Sequence, residues 1–199
     1  MNFSATVDVK TMLVAVRRGA SLIRRGNLPI LEFLRLSATS NRITVSGTNL
    51  DCWLDSAFDA ETASGDVLVS GKELERALGL MPNGAAASLA LEGSKLRITS
   101  GRVRFDLPTM DPADWPKFQD PEKPSTLRAQ AKELMASLER LRPAICTESP
   151  RPYLMGVYLD FAQDRMVATN GHILGWEPGC WTLEDGGDAK PLILPIDTL

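Results

Sequence analysis

A chain of 199 residues with 44% hydrophobic and 24% charged side chains and a formal net charge of −3 carries enough apolar material for a packed core, which excludes a disordered polyelectrolyte. Its apolar runs, such as Met12 to Val16 and Leu192 to Ile196, fall far short of the roughly 20 residues of a membrane-spanning helix. Asp8 and the lack of an apolar stretch after Met1 argue against a signal peptide, so a cytoplasmic location is expected.

In chain order, a short strand leads into Val9, Met12, Leu13, Val16 and Ala20, which recur at helical period and predict a helix from about Asp8 to Ile23, with Ser4, Thr6 or Asp8 as its cap. Pro29 to Leu36 reads as a strand, Arg42-Ile-Thr-Val-Ser alternates as its hairpin partner, and Asn49 to Phe58 as a third strand. Val67 to Val69 is a short buried strand. A helix from Gly71 to about Met81 follows and ends at Pro82-Asn83-Gly84, and then come strands at Ser88 to Leu91, Lys95 to Ser100 and Arg102 to Leu107. This half thus reads as strand, helix and three strands, written twice. Asp111 to Pro124 is proline-rich and polar and reads as a connector, which places one domain at 1–122 and an incomplete second at 123–199. The second carries a strand near Ser125 to Leu127, a helix from Ala131 to Arg142, hairpin strands Leu154 to Phe161 and Arg165 to Ala168, then Ile173 to Trp176, an acidic loop Glu184 to Asp188, and Leu192 to Leu194.

The two halves echo each other. The run beginning Pro29-Ile-Leu31 returns 123 residues later at Pro152-Tyr-Leu154 with four identities in register, Pro29/Pro152, Leu31/Leu154, Leu36/Leu159 and Arg42/Arg165. Asp66 to Leu74 lines up with Pro191 to Leu199 at an offset of 125, and nothing answers to Glu75 onward.

Charge is unevenly placed. The three helical segments 7–25, 71–81 and 127–142 hold eleven basic and five acidic residues, a balance of +6, so the remainder must be −9. Basic helices against acidic sheets and loops can hold a polyanion on one face. No helix-turn-helix, finger spacing or aromatic-interleaved basic run accompanies them, so any nucleic acid would be held through its phosphates without choice of sequence.

Catalytic motifs do not stand out. Gly65 to Glu73 resembles a phosphate loop only superficially, since its glycines are one residue too far apart and Glu73 stands where magnesium needs Ser or Thr. Cys146 with His172 can be drawn as a thiol dyad, yet no orienting motif supports it, and a structural or partner-binding His172 reads better. Asp111 with Asp114 and Asp185 with Asp188 sit in polar loops where solvation is the default. Cys52, Cys146 and Cys180, with His172 the single histidine, lack zinc-site spacing and an even pairing, so neither a metal nor another cofactor is expected.

Leu28-Pro-Ile-Leu31, Ile43-Thr-Val-Ser-Gly-Thr-Asn-Leu50, Leu91-Glu-Gly-Ser-Lys-Leu-Arg-Ile98, Ser100-Gly-Arg-Val-Arg-Phe105, Asp111-Pro-Ala-Asp-Trp-Pro-Lys-Phe118, Pro152-Tyr-Leu-Met-Gly156 and Val167-Ala-Thr-Asn-Gly-His172 together resemble the bacterial DNA polymerase III beta subunit, the sliding clamp, in the family's order over nearly the whole chain. The resemblance implies an α+β DNA-clamp (processivity) fold, with antiparallel sheets outside and helices lining the inner face of a ring of three-domain subunits. It implies a non-catalytic processivity factor that encircles duplex DNA and serves a polymerase III holoenzyme-like assembly. A truncated clamp that binds clamp partners without closing on DNA is the other reading.

By position, the family's DNA contacts fall on Arg25, Lys72, Arg151 and Tyr153, and the charge pattern adds Arg17, Lys132 and Arg140. A groove for short apolar motifs of the polymerase, clamp loader and repair proteins falls on Leu154, Thr169, Gly171, His172, Leu174 and Pro195. The family's Gly-His-Arg-Leu is Gly171-His172-Ile173-Leu174 here, without the arginine. Arg102 and Arg104 fall at the subunit interface of a homo-oligomer. The chain is expected to end one turn into a fourth helix.

Overall fold

The computed structural model describes residues 3–23, 28–50, 52–63, 65–82, 84–118, 126–147, 150–184 and 190–195. Two compact units divide the chain, Met1–Gln119 and Asp120–Leu199.

The first unit runs β1 (Ser4–Asp8), α1 (Val9–Ala20), a 3-10 turn (Pro29–Glu32), β2 (Phe33–Thr39), β3 (Arg42–Thr48), β4 (Trp53–Asp59), β5 (Glu61–Ala63), β6 (Gly65–Ser70), α2 (Gly71–Gly79), β7 (Ala86–Glu92), β8 (Lys95–Ser100) and β9 (Val103–Met110). Asp8 starts α1, its side chain accepting from the Thr11 N–H at 2.8 Å, and Ser70 caps α2 through the Glu73 N–H. The first hairpin strand begins at Phe33 instead of Pro29. Pro29 lacks the N–H a ladder needs and opens a 3-10 turn instead. Ser40 and Asn41, with φ of 50° and 61°, make the two-residue turn between β2 and β3, a geometry whose twist suits paired strands.

All nine strands form one antiparallel sheet in the order β4-β3-β2-β6-β9-β8-β7-β1-β5. Val9, Met12 and Val16 of α1, Leu74 and Leu78 of α2, and Leu34, Leu36, Ile43, Val45, Val67, Leu89, Leu96 and Ile98 of the sheet meet in one buried core. Gly19 and Gly47 let α1 approach β3 closely: a Cβ on Gly47 would lie 2.4 Å from the Gly19 carbonyl oxygen.

The proline-rich run expected to be a connector is packed structure as far as Phe118. Asp111 caps a 3-10 turn over Pro112–Asp114, Trp115 is buried, and Trp115 and Phe118 meet the Trp53 ring edge-on at centroid distances of 6.5 and 5.6 Å. Three aromatic rings outweigh the polar composition around them.

The second unit contains β10 (Leu127–Ala129), α3 (Ala131–Leu141), 3-10 turns at Arg142–Ala144 and Pro152–Leu154, β11 (Gly156–Asp160), β12 (Arg165–Thr169), β13 (Leu174–Pro178), β14 (Trp181–Leu183) and β15 (Leu192–Pro195). Sheet β13-β12-β11-β15 packs under α3 through Leu138, Leu141, Ile145, Val157, Leu159, Met166 and Ala168, and β10 pairs β14 separately.

The repeat is reproduced in strand register. Phe33 opposite Ser70 and Leu36 opposite Val67 become Gly156 opposite Pro195 and Leu159 opposite Leu192, at the two sequence offsets of 123 and 125. Strands β5 and β14, neither of them foreseen, are likewise equivalent: Ser4 opposite Ala63 becomes Leu127 opposite Leu183. The Arg42/Arg165 identity does not survive. Leu36 faces Val45 whereas Leu159 faces Met166, because the second hairpin closes early through a longer turn, where the Asp160 carboxylate accepts from the Gln163 N–H.

Among the described residues, unit 2 has no counterpart of α2 or of β7 to β9. In unit 1 those strands bridge β6 to β1, with Leu68 opposite Met110 at one end and Ala5 opposite Leu89 at the other. The expected loop from Asp185, the Ser125 start of a strand and the helix after Pro195 lie outside the described residues.

Candidate nucleic-acid and partner interfaces

On α1, burial of Val9, Met12, Leu13, Val16 and Gly19 turns Lys10, Val14, Arg17 and Arg18 outward as one stripe. On α2, burial of Gly71, Leu74, Ala77 and Leu78 leaves Lys72, Glu73 and Arg76 exposed. Glu75 lies on the seam of the two helices, where its carboxylate accepts from Arg17 Nε at 3.1 Å. Gly71 is a packing glycine: a Cβ there would meet Ile23 Cδ1 at 2.5 Å. The segment resembling a phosphate loop is thus strand β6 docking α2, with Lys72 at its surface.

On α3 the outward stripe is Lys132, Met135, Ala136 and Glu139. Arg140 stands at its flank and reaches the sheet instead, donating from Nε and Nη2 to the two carboxylate oxygens of Glu177 at 2.8 Å each, and from Nη2 to Ser137 Oγ at 2.9 Å. That fork holds the Glu177 carboxyl below its ordinary range and raises the Arg140 guanidinium above its own. Arg142 pairs with Glu139 at 3.0 Å. Arg25 lies outside the described residues.

The β12–β13 turn is shaped by side chains. Thr169 Oγ1 accepts from the Gly171 N–H at 3.1 Å and donates to the Ile173 carbonyl at 2.7 Å, and Asn170 Oδ1 accepts from the N–H groups of His172 and Ile173. Gly171 has φ of 90°. This turn and the 150–154 loop bound a cleft of about 490 Å³ lined by Arg151, Leu154, Gly171 and His172 together with Cys146 and Asn170. Tyr153 projects beside it, 59% exposed.

The other three groove residues lie on the outer face of the sheet. Leu174 is opposite Thr169 across β13 and β12, and Pro195 is opposite Gly156 on the far strand. Beside them Trp176, Val167, Tyr158 and Ile193 follow one another across all four strands, a half-exposed apolar row that sequence reading missed, although its alternation in β13 was legible.

Arg102 is exposed in the β8–β9 turn, and Arg104 on β9 pairs with Asp106 at 2.8 Å. Arg97 pairs with the same carboxylate at 2.8 Å and with Glu92. Hydrogen bonds first from Arg97 and then from Arg104 hold the Asp106 carboxyl far below the usual carboxylate range. Among the described residues no three His, Cys, Asp or Glu side chains group as metal ligands, and no helix is long and apolar enough to cross a membrane.

Residues 1–119 match the family model described as the DNA polymerase III beta subunit, N-terminal domain. The beta sliding clamp of Caulobacter vibrioides is 32% identical over 179 residues, which is 85% of this chain and 48% of that protein. That of Vibrio cholerae serotype O1 is 29% identical over 152 residues, 74% and 42% respectively. A crystal structure of the Caulobacter crescentus beta sliding clamp superimposes with a TM-score of 0.88 at 28% identity, over 99% of this chain and 55% of that one. A Pseudomonas aeruginosa sliding clamp bound to griselimycin gives 0.86 at 26%, over 98% and 54%. The chain spans about half the length of these relatives. With antiparallel sheets carrying helices in a repeated unit, and a family match over the whole of its first unit, this chain belongs to the DNA polymerase III beta subunit family and has its α+β sliding-clamp fold.

Proposed function

We propose that the protein is a DNA polymerase processivity factor of the sliding-clamp type, which holds a replicase on duplex DNA by encircling it without regard to sequence and carries out no chemistry itself. The observation that carries this reading is the pair α1–α2. One side is buried on the sheet and the other presents Lys10, Arg17, Arg18, Lys72 and Arg76, a surface suited to phosphates and devoid of base-reading groups. The same reading assigns DNA contacts to Lys132, Arg151 and Tyr153 in the second unit, and Arg25 matches the family's DNA-contacting arginine by sequence position.

The cleft of Leu154, Gly171 and His172, whose walls are about as polar as apolar, together with Thr169, Leu174 and Pro195 on the outer face of the neighbouring sheet, serves as the docking place for short apolar motifs of polymerase, clamp loader and repair proteins. Arg102 and Arg104 serve the contact between subunits of a homo-oligomer acting in the cytoplasm. Tethering raises the local concentration of the polymerase at its template, which is where processivity originates.

The test loads the protein on nicked circular duplex and measures what remains bound after gel filtration, before and after the circle is cut. Release on cutting is expected. Equal retention on circular and linear DNA would replace encirclement by plain phosphate binding.

A further inference from the structure

We infer, resting on the DNA-holding role just proposed, that the two units share phosphate attraction unequally: Glu177 withdraws Arg140 from the DNA-facing set, and α1–α2 supply the larger part through Lys10, Arg18, Lys72 and Arg76. The argument is electrostatic and geometric. A guanidinium already bound through two nitrogens to one carboxylate brings no net charge to a phosphate, and freeing it means breaking both bonds. The Glu177 side chain is 20% exposed and that of Arg140 58%, so the pair is shielded from solvent on its acidic side and open on its basic side.

The rest of α3 is also balanced. Arg142 pairs with Glu139, Glu133 is exposed in the first turn, and Lys132 remains as the one α3 cation without an ion pair among the described residues. On α1–α2 the balance differs. Asp8 is occupied in capping α1, Glu75 takes Arg17, Glu73 stands exposed, and Lys10, Arg18, Lys72 and Arg76 make no ion pair among the described residues. Glu177 is therefore a positioning residue, an internal counterion that keeps one arginine off the DNA.

Salt dependence reads this directly, because the slope of log affinity against log salt changes by about 0.9 for each phosphate that the protein newly neutralises or releases. Affinity of the 199-residue chain for a random-sequence duplex is measured from low to moderate salt for the parent, Lys72→Gln/Arg76→Gln, Arg140→Gln, Glu177→Gln and the Arg140→Gln/Glu177→Gln double variant. The first variant is expected to lower the slope by about two. Arg140→Gln should leave it unchanged, Glu177→Gln should steepen it by about one, and the double variant should return it to the parent value. A slope that falls in Arg140→Gln and stays put in Glu177→Gln overturns the inference while leaving DNA holding intact. A parent with no salt-dependent binding overturns both. The double variant shows whether a Glu177→Gln effect comes from the freed arginine, since disturbed packing would persist in it.

Discussion

Strands β6 and β15 occupy the same place in their units and the same register against the preceding hairpin, yet they live in different surroundings. Val67, Leu68 and Val69 are buried with β9 along their far side, whereas Leu192 and Ile193 are 44% and 38% exposed. Identical pairing therefore does not give identical burial. What a strand contributes depends on whether both its face and its edge are covered, and in unit 2 no further strand pairs with β15 among the described residues.

The largest expected break in this comparison comes from substituting the equivalent pair Leu68 and Ile193. Leu68→Ala removes a fully buried side chain and should cost about 3 kcal/mol, while Ile193→Ala should cost under about 1 kcal/mol, read by denaturant unfolding. Equal losses would mean that Ile193 is covered in solution.

A smaller effect tests the helix-to-sheet spacing. Gly47→Ala places a Cβ against the Gly19 carbonyl and should destabilise unit 1 by about 1–3 kcal/mol, because backbone has to move. An unchanged melting temperature would show that α1 can lift from β3.

The smallest effect concerns pH and contrasts Asp106 in unit 1 with Glu177 in unit 2. Both carboxyls are held below their unfolded values by arginine, so each contributes stability that is complete above the ordinary carboxylate range and disappears as pH falls through the lowered folded value. The stability difference between parent and Asp106→Asn, or parent and Glu177→Gln, should be constant near neutrality and shrink on acidification. The Asp106 difference should persist to lower pH, since two arginines hold that group. A difference that grows as pH falls would contradict the assignment.

Much of this was legible in the chain. The helical period of Val9 to Val16 is a buried stripe in the structure, the helix expected from Gly71 is α2, and the 123- and 125-residue echoes are strand registers. Other features hide from composition and spacing. Proline and aspartate around Trp115 read as a connector because the ring they carry packs against Trp53, a contact 62 residues away that no local pattern announces. Arg42 and Arg165 align by letter but not by pairing, since turn length sets register and the two turns differ. Of the candidate site, Leu154, Gly171 and His172 do converge on one cleft. Arg140, counted as a phosphate contact on charge alone, is tied by a carboxylate 37 residues on, and only the folded chain brings those two groups together.

The nine-stranded order also bears on how the protein is made. Strand β1 lies between β5 and β7, so Ala5 finds its neighbours at Thr62 and Leu89, both translated long after it. Such separations slow folding, because the entropy of closing long loops is lost before the contacts that reward it can form. On the ribosome, Ser4–Asp8 thus stays without a sheet partner until β5 has emerged.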